Sequence, residues 1–176
     1  KMTANEAVLF AARNTIKALE LGTRRWGAQS THHRDLFNPD CDFVMTDYLE
    51  GADVDVVSDA HDFKEFPDDT FDGVYSASTF EHIQYPWVAA AALLRIIKPG
   101  GWLYVATHQT FPVHGYPYDY TRWTDAGLRS LFEWVGFEVV EADMTNKCVI
   151  VPPPTITVWD TNAPAFLGVE VFCRKR

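Results

Sequence analysis

The sequence predicts an α/β domain: a mostly parallel sheet with helices on both faces. Three observations carry that prediction. Short apolar runs of strand type alternate with helical or loop connectors along most of the chain, the pattern that builds a parallel sheet. Successive runs finish on Glu20, Asp47, Asp59 and Ser76, and open parallel sheets bind ligands at those strand ends. The 176 residues, 47% of them hydrophobic, suffice for one domain whose core needs neither disulfides nor a metal.

Residues 4–13 have helical composition, with Ala7, Val8, Ala11 and Ala12 forming an apolar face. Residues 16–21 read as the first strand, followed by the turn Gly22-Thr23-Arg24-Arg25-Trp26-Gly27. A glycine at such a turn lets the backbone pass close to a ligand. A dinucleotide-type fingerprint would carry further glycines where Arg24 and Trp26 stand, so this turn alone reads equally well as an ordinary strand end. Residues 28–37 hold at most a short helix, stopped by Asn38-Pro39-Asp40. Residues 43–47, 54–59 and 71–76 are the next three strands, and 86–97 is the clearest helix. Lys98-Pro99-Gly100-Gly101 breaks that helix and turns into a fifth strand over 102–107. Thr124 is placed to cap a helix reaching Trp134, with Leu128, Leu131 and Phe132 on one face and Gly136 at its end. Residues 137–142 form a sixth strand, 143–164 read as a long irregular excursion, and 168–174 close the sheet.

The net charge of −9, from 24 acids against 15 bases, argues against nucleic acid as a partner, because that contact requires a basic face. The longest apolar run, 87–94, is too short to span a bilayer, and no signal peptide is expected in residues 1–13, where Asn5, Glu6 and Arg13 bracket only a brief apolar segment. Cys41, Cys148 and Cys173 are an odd, widely spaced set, which suggests reduced thiols and a cytoplasmic setting. The six histidines include no pair at helical ligand spacing, so no metal site is expected.

The run Phe71-Asp72-Gly73-Val74-Tyr75-Ser76, then Phe80-Glu81-His82-Ile83, then Leu94-Arg95-Ile96-Ile97-Lys98-Pro99-Gly100-Gly101-Trp102-Leu103 resembles the class I S-adenosylmethionine-dependent methyltransferases. A second segment, His114-Gly115-Tyr116-Pro117-Tyr118-Asp119-Tyr120-Thr121-Arg122-Trp123-Thr124, is similar to methyltransferases encoded near glycan and specialised-metabolite genes. The resemblance implies a Rossmann-like three-layer sandwich with a seven-stranded sheet in the order 3-2-1-4-5-7-6. It implies S-adenosyl-L-methionine as cofactor. Glu20, Gly22 and Thr23 would lie against its methionine and ribose, Asp47 would accept from the ribose hydroxyls, and Tyr48 would flank the adenine. Asp59 and Ala60 would meet the adenine, and Ser76 and Ala77 the methionine.

Methyl transfer needs chiefly alignment, and a hydroxyl acceptor gains from a base that titrates near neutrality. His108 and His82 are the candidates for that base. His114, Tyr118, Asp119, Tyr120 and Arg122 are the candidates for acceptor contact, by ring stacking and by hydrogen bonds. The expected reaction is methylation, at oxygen, of a small molecule or saccharide. A nucleobase amine is disfavoured, since Ser76-Ala77-Ser78-Thr79-Phe80 stands where such enzymes carry an [DN]-P-P-[YF] element. The alternatives are a nicotinamide-dependent oxidoreductase, which the Lys-Pro-Gly-Gly turn counts against, and an inactive methyltransferase-fold subunit of a heteromer. Assembly as a homo-oligomer is compatible with the sequence.

Overall fold

The computed structural model describes residues 2–24, 33–115, 117–156 and 163–176. Arg25, Trp26 and Gly27 of the glycine turn, residues 28–32 and Tyr116 lie outside them. In chain order the elements are α1 (Ala4–Ala12), β1 (Lys17–Leu21), β2 (Asp42–Asp47), β3 (Val56–Val57), β4 (Phe71–Ala77), α2 (Pro86–Ile96), β5 (Ile97–His108), α3 (Asp125–Val135), β6 (Phe137–Cys148) and β7 (Ala165–Lys175). Single 3-10 turns occur at Arg34–Leu36 and Phe80–His82. One seven-stranded sheet runs in the expected order, β3-β2-β1-β4-β5-β7-β6. Only the pairings of β7, with β5 and with β6, are antiparallel.

Two apolar clusters cover the sheet's faces. On one, the small side of α1 (Ala4, Ala7, Val8, Ala11, Ala12) packs with Tyr75, Trp102, Tyr104 and Phe172. On the other, Ala89, Leu93 and Ile96 of α2 and Leu128 and Phe132 of α3 pack on Leu19, Val74, Leu103 and Val105. The alternation within β4 and β5 distributes these side chains, since successive residues of a strand point to opposite faces. The helix ends behave as their residues dictate. Thr3 and Glu6 form a reciprocal capping box on α1, and Thr124 Oγ1 accepts the Gly127 N–H of α3 at 3.1 Å. Gly136 closes α3 at φ 112°, a conformation that favours glycine.

Several boundaries differ from expectation. β3 is two residues rather than the run 54–59, because it pairs with β2 only at Thr46 and Asp47. The Lys98-Pro99-Gly100-Gly101 segment lies inside β5 as a bulge: Ile97 pairs with Phe71 and the register resumes at Gly73 with Trp102. The largest correction concerns the excursion expected over 143–164. β6 continues to Cys148 and β7 starts at Ala165, so Asp143 to Cys148 pair across an antiparallel hairpin with Ala165 to Glu170. Asp143, Asn146 and Lys147 are poor strand formers, and the partner strand overrides that preference. Residues 28–37 supply only the turn at Arg34–Leu36 within the described part.

Candidate functional site

The carboxyl ends of β1, β2 and β4 meet at one edge of the sheet, where the chain turns out of each strand. Gly22 has φ +86°, and a Cβ there would lie 1.9 Å from Thr79 Oγ1. The close approach that requires glycine is therefore to Thr79, whose hydroxyl in turn donates to Leu21 O at 3.2 Å. Thr23 is buried and bonds through its hydroxyl to the Asp53 carbonyl, tying the turn to the loop before β3. Asp47 accepts the N–H of Arg24 through Oδ2 and that of Leu49 through Oδ1, both at 3.1 Å. Tyr48, 62% exposed, stands at the surface beside it. Glu20 is buried and accepts the His33 N–H at 3.0 Å, with His33 Nδ1 2.7 Å from its other oxygen. His33 is thus half-buried, its ring tilted against Tyr75 with the centroids 4.4 Å apart.

Further along this edge, Asp59 Oδ1 receives both the backbone N–H and Nδ1 of His61, at 2.9 and 2.6 Å. Burial raises the Asp59 pKa, but these hydrogen bonds outweigh it and hold the carboxyl below its ordinary value. Ala60 follows, half-buried. Ser76 is fully buried with no hydrogen-bond partner for its hydroxyl, and Ala77 ends the strand half-buried. A buried hydroxyl without a partner is uncommon and points to a missing polar group at this edge. That orphan and the acceptor-only carboxylate of Asp47 fit a ligand with a hydroxylated sugar and a polar tail, as S-adenosylmethionine has.

Beyond β4 the chain builds a second polar centre around Glu81, which has no exposed surface. Its Oε2 accepts from Thr107 Oγ1 at 2.7 Å. Its Oε1 lies 3.1 Å from His108 Nε2 and 3.7 Å from His82 Nε2. The His108 contact is close, but its angle is poor enough to leave Oε1 without a well-directed hydrogen bond. Burial pushes the Glu81 carboxyl up, yet the contacts with His108 and Thr107 and the local backbone bring it below its usual value. His82 donates through Nδ1 to the Tyr118 carbonyl at 2.6 Å. His108 stacks on Phe111, with ring centroids 4.2 Å apart, and lies edge-on to His114.

The loop after β5 is stitched onto this centre by its backbone. Tyr120 N–H donates to Glu81 O at 2.7 Å, and Trp123 N–H to His108 O at 3.0 Å. Within the loop Arg122 pairs with both oxygens of Asp119 and also donates to the Phe111, Pro112 and Thr121 carbonyls. Arg122 holds the Asp119 carboxyl well below the usual carboxylate range, against a smaller opposing effect of burial. Asp119 also accepts the His114 N–H at 3.0 Å. These two expected acceptor contacts therefore serve as a clamp that shapes the loop. Tyr118 and Tyr120 are 62% and 42% exposed, so both rings face outward.

Arg122→Ala is expected to release this loop, seen as faster proteolytic cutting within 111–123 and a raised KM for the acceptor with kcat less affected. Arg122→Lys should rescue little, because an ammonium cannot bridge a carboxylate and three carbonyls in one plane. The ion pair depresses the folded-state pKa of Asp119, so its stabilisation is complete above the unfolded carboxyl value of about 4 and is lost only as pH falls well below it.

A cavity of about 260 Å³ opens beside His108. Its walls come from Ser78 after β4, Thr107 and His108 of β5, Thr145 and Asn146 of β6, and Glu170 of β7. Asn146 and Ser78 both sit at positive φ, 56° and 52°. Burial raises the Glu170 carboxyl above its usual value, while a hydrogen bond from Tyr104 opposes the shift. Of the candidate site residues named from the sequence, only His108 lines this cavity; its Asn146 and Glu170 had no role assigned from the sequence, nor had Glu81 and Thr79 outside it. Glu81 alone carried a local signal, an acid set between Phe80 and Ile83 where an apolar pattern continues.

A methyltransferase-domain family model matches residues 24–105, the span from the glycine turn into β5. No curated protein matches the sequence. Among solved structures, a S-adenosylmethionine-dependent methyltransferase from Archaeoglobus fulgidus superposes with a TM-score of 0.68 at 15% identity, over 96% of this chain and 90% of that one. The Burkholderia thailandensis 1,6-didemethyltoxoflavin-N1-methyltransferase, with 1,6-didemethyltoxoflavin and S-adenosylhomocysteine bound, gives 0.67 at 13% identity over 98% and 78%. A chain of the Haloferax volcanii complex between the Trm112 methyltransferase activator and its methyltransferase partner gives 0.66 at 22% over 97% and 87%. These likenesses concern the fold, and the family model covers the half of the sheet from the glycine turn into β5. The β3-β2-β1-β4-β5-β7-β6 sheet is thus the fold of the S-adenosylmethionine-dependent methyltransferases on which the chain superposes, and its residues 24–105 match the methyltransferase-domain family model.

Proposed function

We propose that the enzyme methylates an oxygen of a small molecule or saccharide bound in the cavity beside His108, and that His108 accepts the proton released there. The observation that carries this reading is a histidine lining the cavity with a buried carboxylate behind it. Glu81 at Nε2 favours the tautomer protonated on that nitrogen, which leaves the lone pair on Nδ1. The cofactor supplies an electrophilic methyl group. The chain's own residues position the acceptor: Asn146 and Ser78 offer hydrogen bonds, Glu170 accepts one, and Phe111 holds the His108 ring by stacking. His82, the other candidate base, donates a hydrogen bond through Nδ1–H to the Tyr118 carbonyl, and its part in this reading is to hold the loop. Asp47, Glu20, Gly22, Thr23, Tyr48, Asp59, Ala60, Ser76 and Ala77 make up the cofactor edge.

An acceptor screen that starts with free sugars, followed by kinetics of His108→Ala, tests this. The expected result is a fall in kcat of about a hundredfold or more with KM nearly unchanged. An unaltered kcat would show that His108 is not the base and that alignment alone suffices. A second reading, in which the chain works as one half of a heteromer, draws on the likeness to the activator-bound Haloferax chain. It gains support if the isolated chain fails to bind S-adenosylhomocysteine.

A further inference from the structure

We infer that Glu81, His82 and His114 form a binding site for a divalent transition-metal ion, with zinc the best-matched member of that class. One ligand atom from each residue lies within 4.8 Å of those of the other two. Zinc holds nitrogen and oxygen donors at about 2.0–2.1 Å, which places neighbouring donors roughly 3.3 Å apart. Ion binding would have to draw these donors together by about 1.5 Å at most, and His114 stands on the loop rather than in the sheet.

Three further observations favour an ion here. Oε1 of Glu81 is buried without a well-directed hydrogen bond, and it faces His82 Nε2 at 3.7 Å. The His82 Nδ1–H donates to the Tyr118 carbonyl, so in the neutral ring the lone pair is on Nε2, the nitrogen nearest Glu81. His114 Nδ1 lies 3.1 Å from the Pro112 carbonyl and 3.2 Å from Asp119 Oδ2, which selects the same tautomer. Metal-binding histidines characteristically donate their second nitrogen to a carbonyl or carboxylate in this way. Oε1 has two lone pairs, so it can face His108 and an ion together. Two imidazoles with a single carboxylate suit zinc, cobalt or nickel. Magnesium and calcium require more oxygen ligands than these residues supply.

The ion would join the Phe80–His82 turn to the loop that follows β5, fixing the wall nearest His108. Ion binding does not depend on the methyl-transfer reading and is measured without it.

The test is titration of the whole metal-free chain with Zn2+ by calorimetry, repeated with Co2+ and its visible absorption. One equivalent should bind, the cobalt form should show the intense bands of a low-symmetry site, and cutting within 111–123 should slow when zinc is bound. His114→Ala, on the exposed loop, and Glu81→Gln, which keeps the side chain's shape, should each weaken binding at least tenfold. Binding that both variants leave unchanged would locate the ion elsewhere and overturn the inference. So would the lack of any saturable binding below about 0.1 mM. Because no acceptor or donor enters the assay, a negative result here leaves the His108 kinetics as a separate question.

Discussion

Asp47→Ala is expected to weaken S-adenosylhomocysteine binding about a hundredfold, measured by isothermal titration. Hydrogen bonds to a charged group contribute about 1.5–3 kcal/mol each, and loss of one or two at the ribose corresponds to roughly 3 kcal/mol, or two decades in Kd. The same carboxylate braces the turn by accepting from Arg24 and Leu49, so the variant also loosens the backbone that would face the cofactor. Asp47→Asn keeps one acceptor oxygen and should fall between. A variant that binds like the wild type would remove Asp47 from the cofactor edge. A wild type that does not bind would end the catalytic reading of the isolated chain and direct attention to a partner protein.

Gly73→Ala is expected to destabilise the fold by about 3 kcal/mol without touching the site. An added Cβ would lie 2.1 Å from Cε2 of Trp102. Trp102 is 3% exposed and cannot withdraw. It is stacked between Phe37 and Phe172, each 6.0 Å away by ring centroids, and its Nε1 donates to Thr15 Oγ1 at 3.0 Å. Either β4 separates from β5 or the indole leaves its place and forfeits that hydrogen bond. Overpacking of this kind costs about 1–3 kcal/mol before any hydrogen bond is lost. For a chain of this length the expected fall in Tm is about 6–12 °C by calorimetry. S-adenosylhomocysteine affinity below the transition should stay near that of the wild type, which separates this effect from that of Asp47.

Local pattern was sufficient where each element follows from its own residues. The apolar spacing of α1 and α3, the Thr124 cap, the Gly136 stop and the strand runs around Glu20, Asp47 and Ser76 are short-range features. The structure reproduces them with shifts of a residue or two at the ends. The strand order was legible only through the resemblance, since periodicity says which residues face a core and nothing about which strand lies beside which.

The sequence by itself therefore determined the layered α/β architecture, the placing of polar residues at the strand ends and, through its motifs, the cofactor class. Tertiary structure decided the rest. It extended β6 and β7 through weak strand formers, because the ladder across the hairpin satisfies backbone groups that local preference would leave to water. It turned Asp119 and Arg122 toward each other, and brought Glu81 against His108, 27 positions away in the chain, as the β4 and β5 ends came side by side. A buried carboxylate must find partners wherever the fold supplies them, and contacts between distant segments have no local periodicity from which to be read.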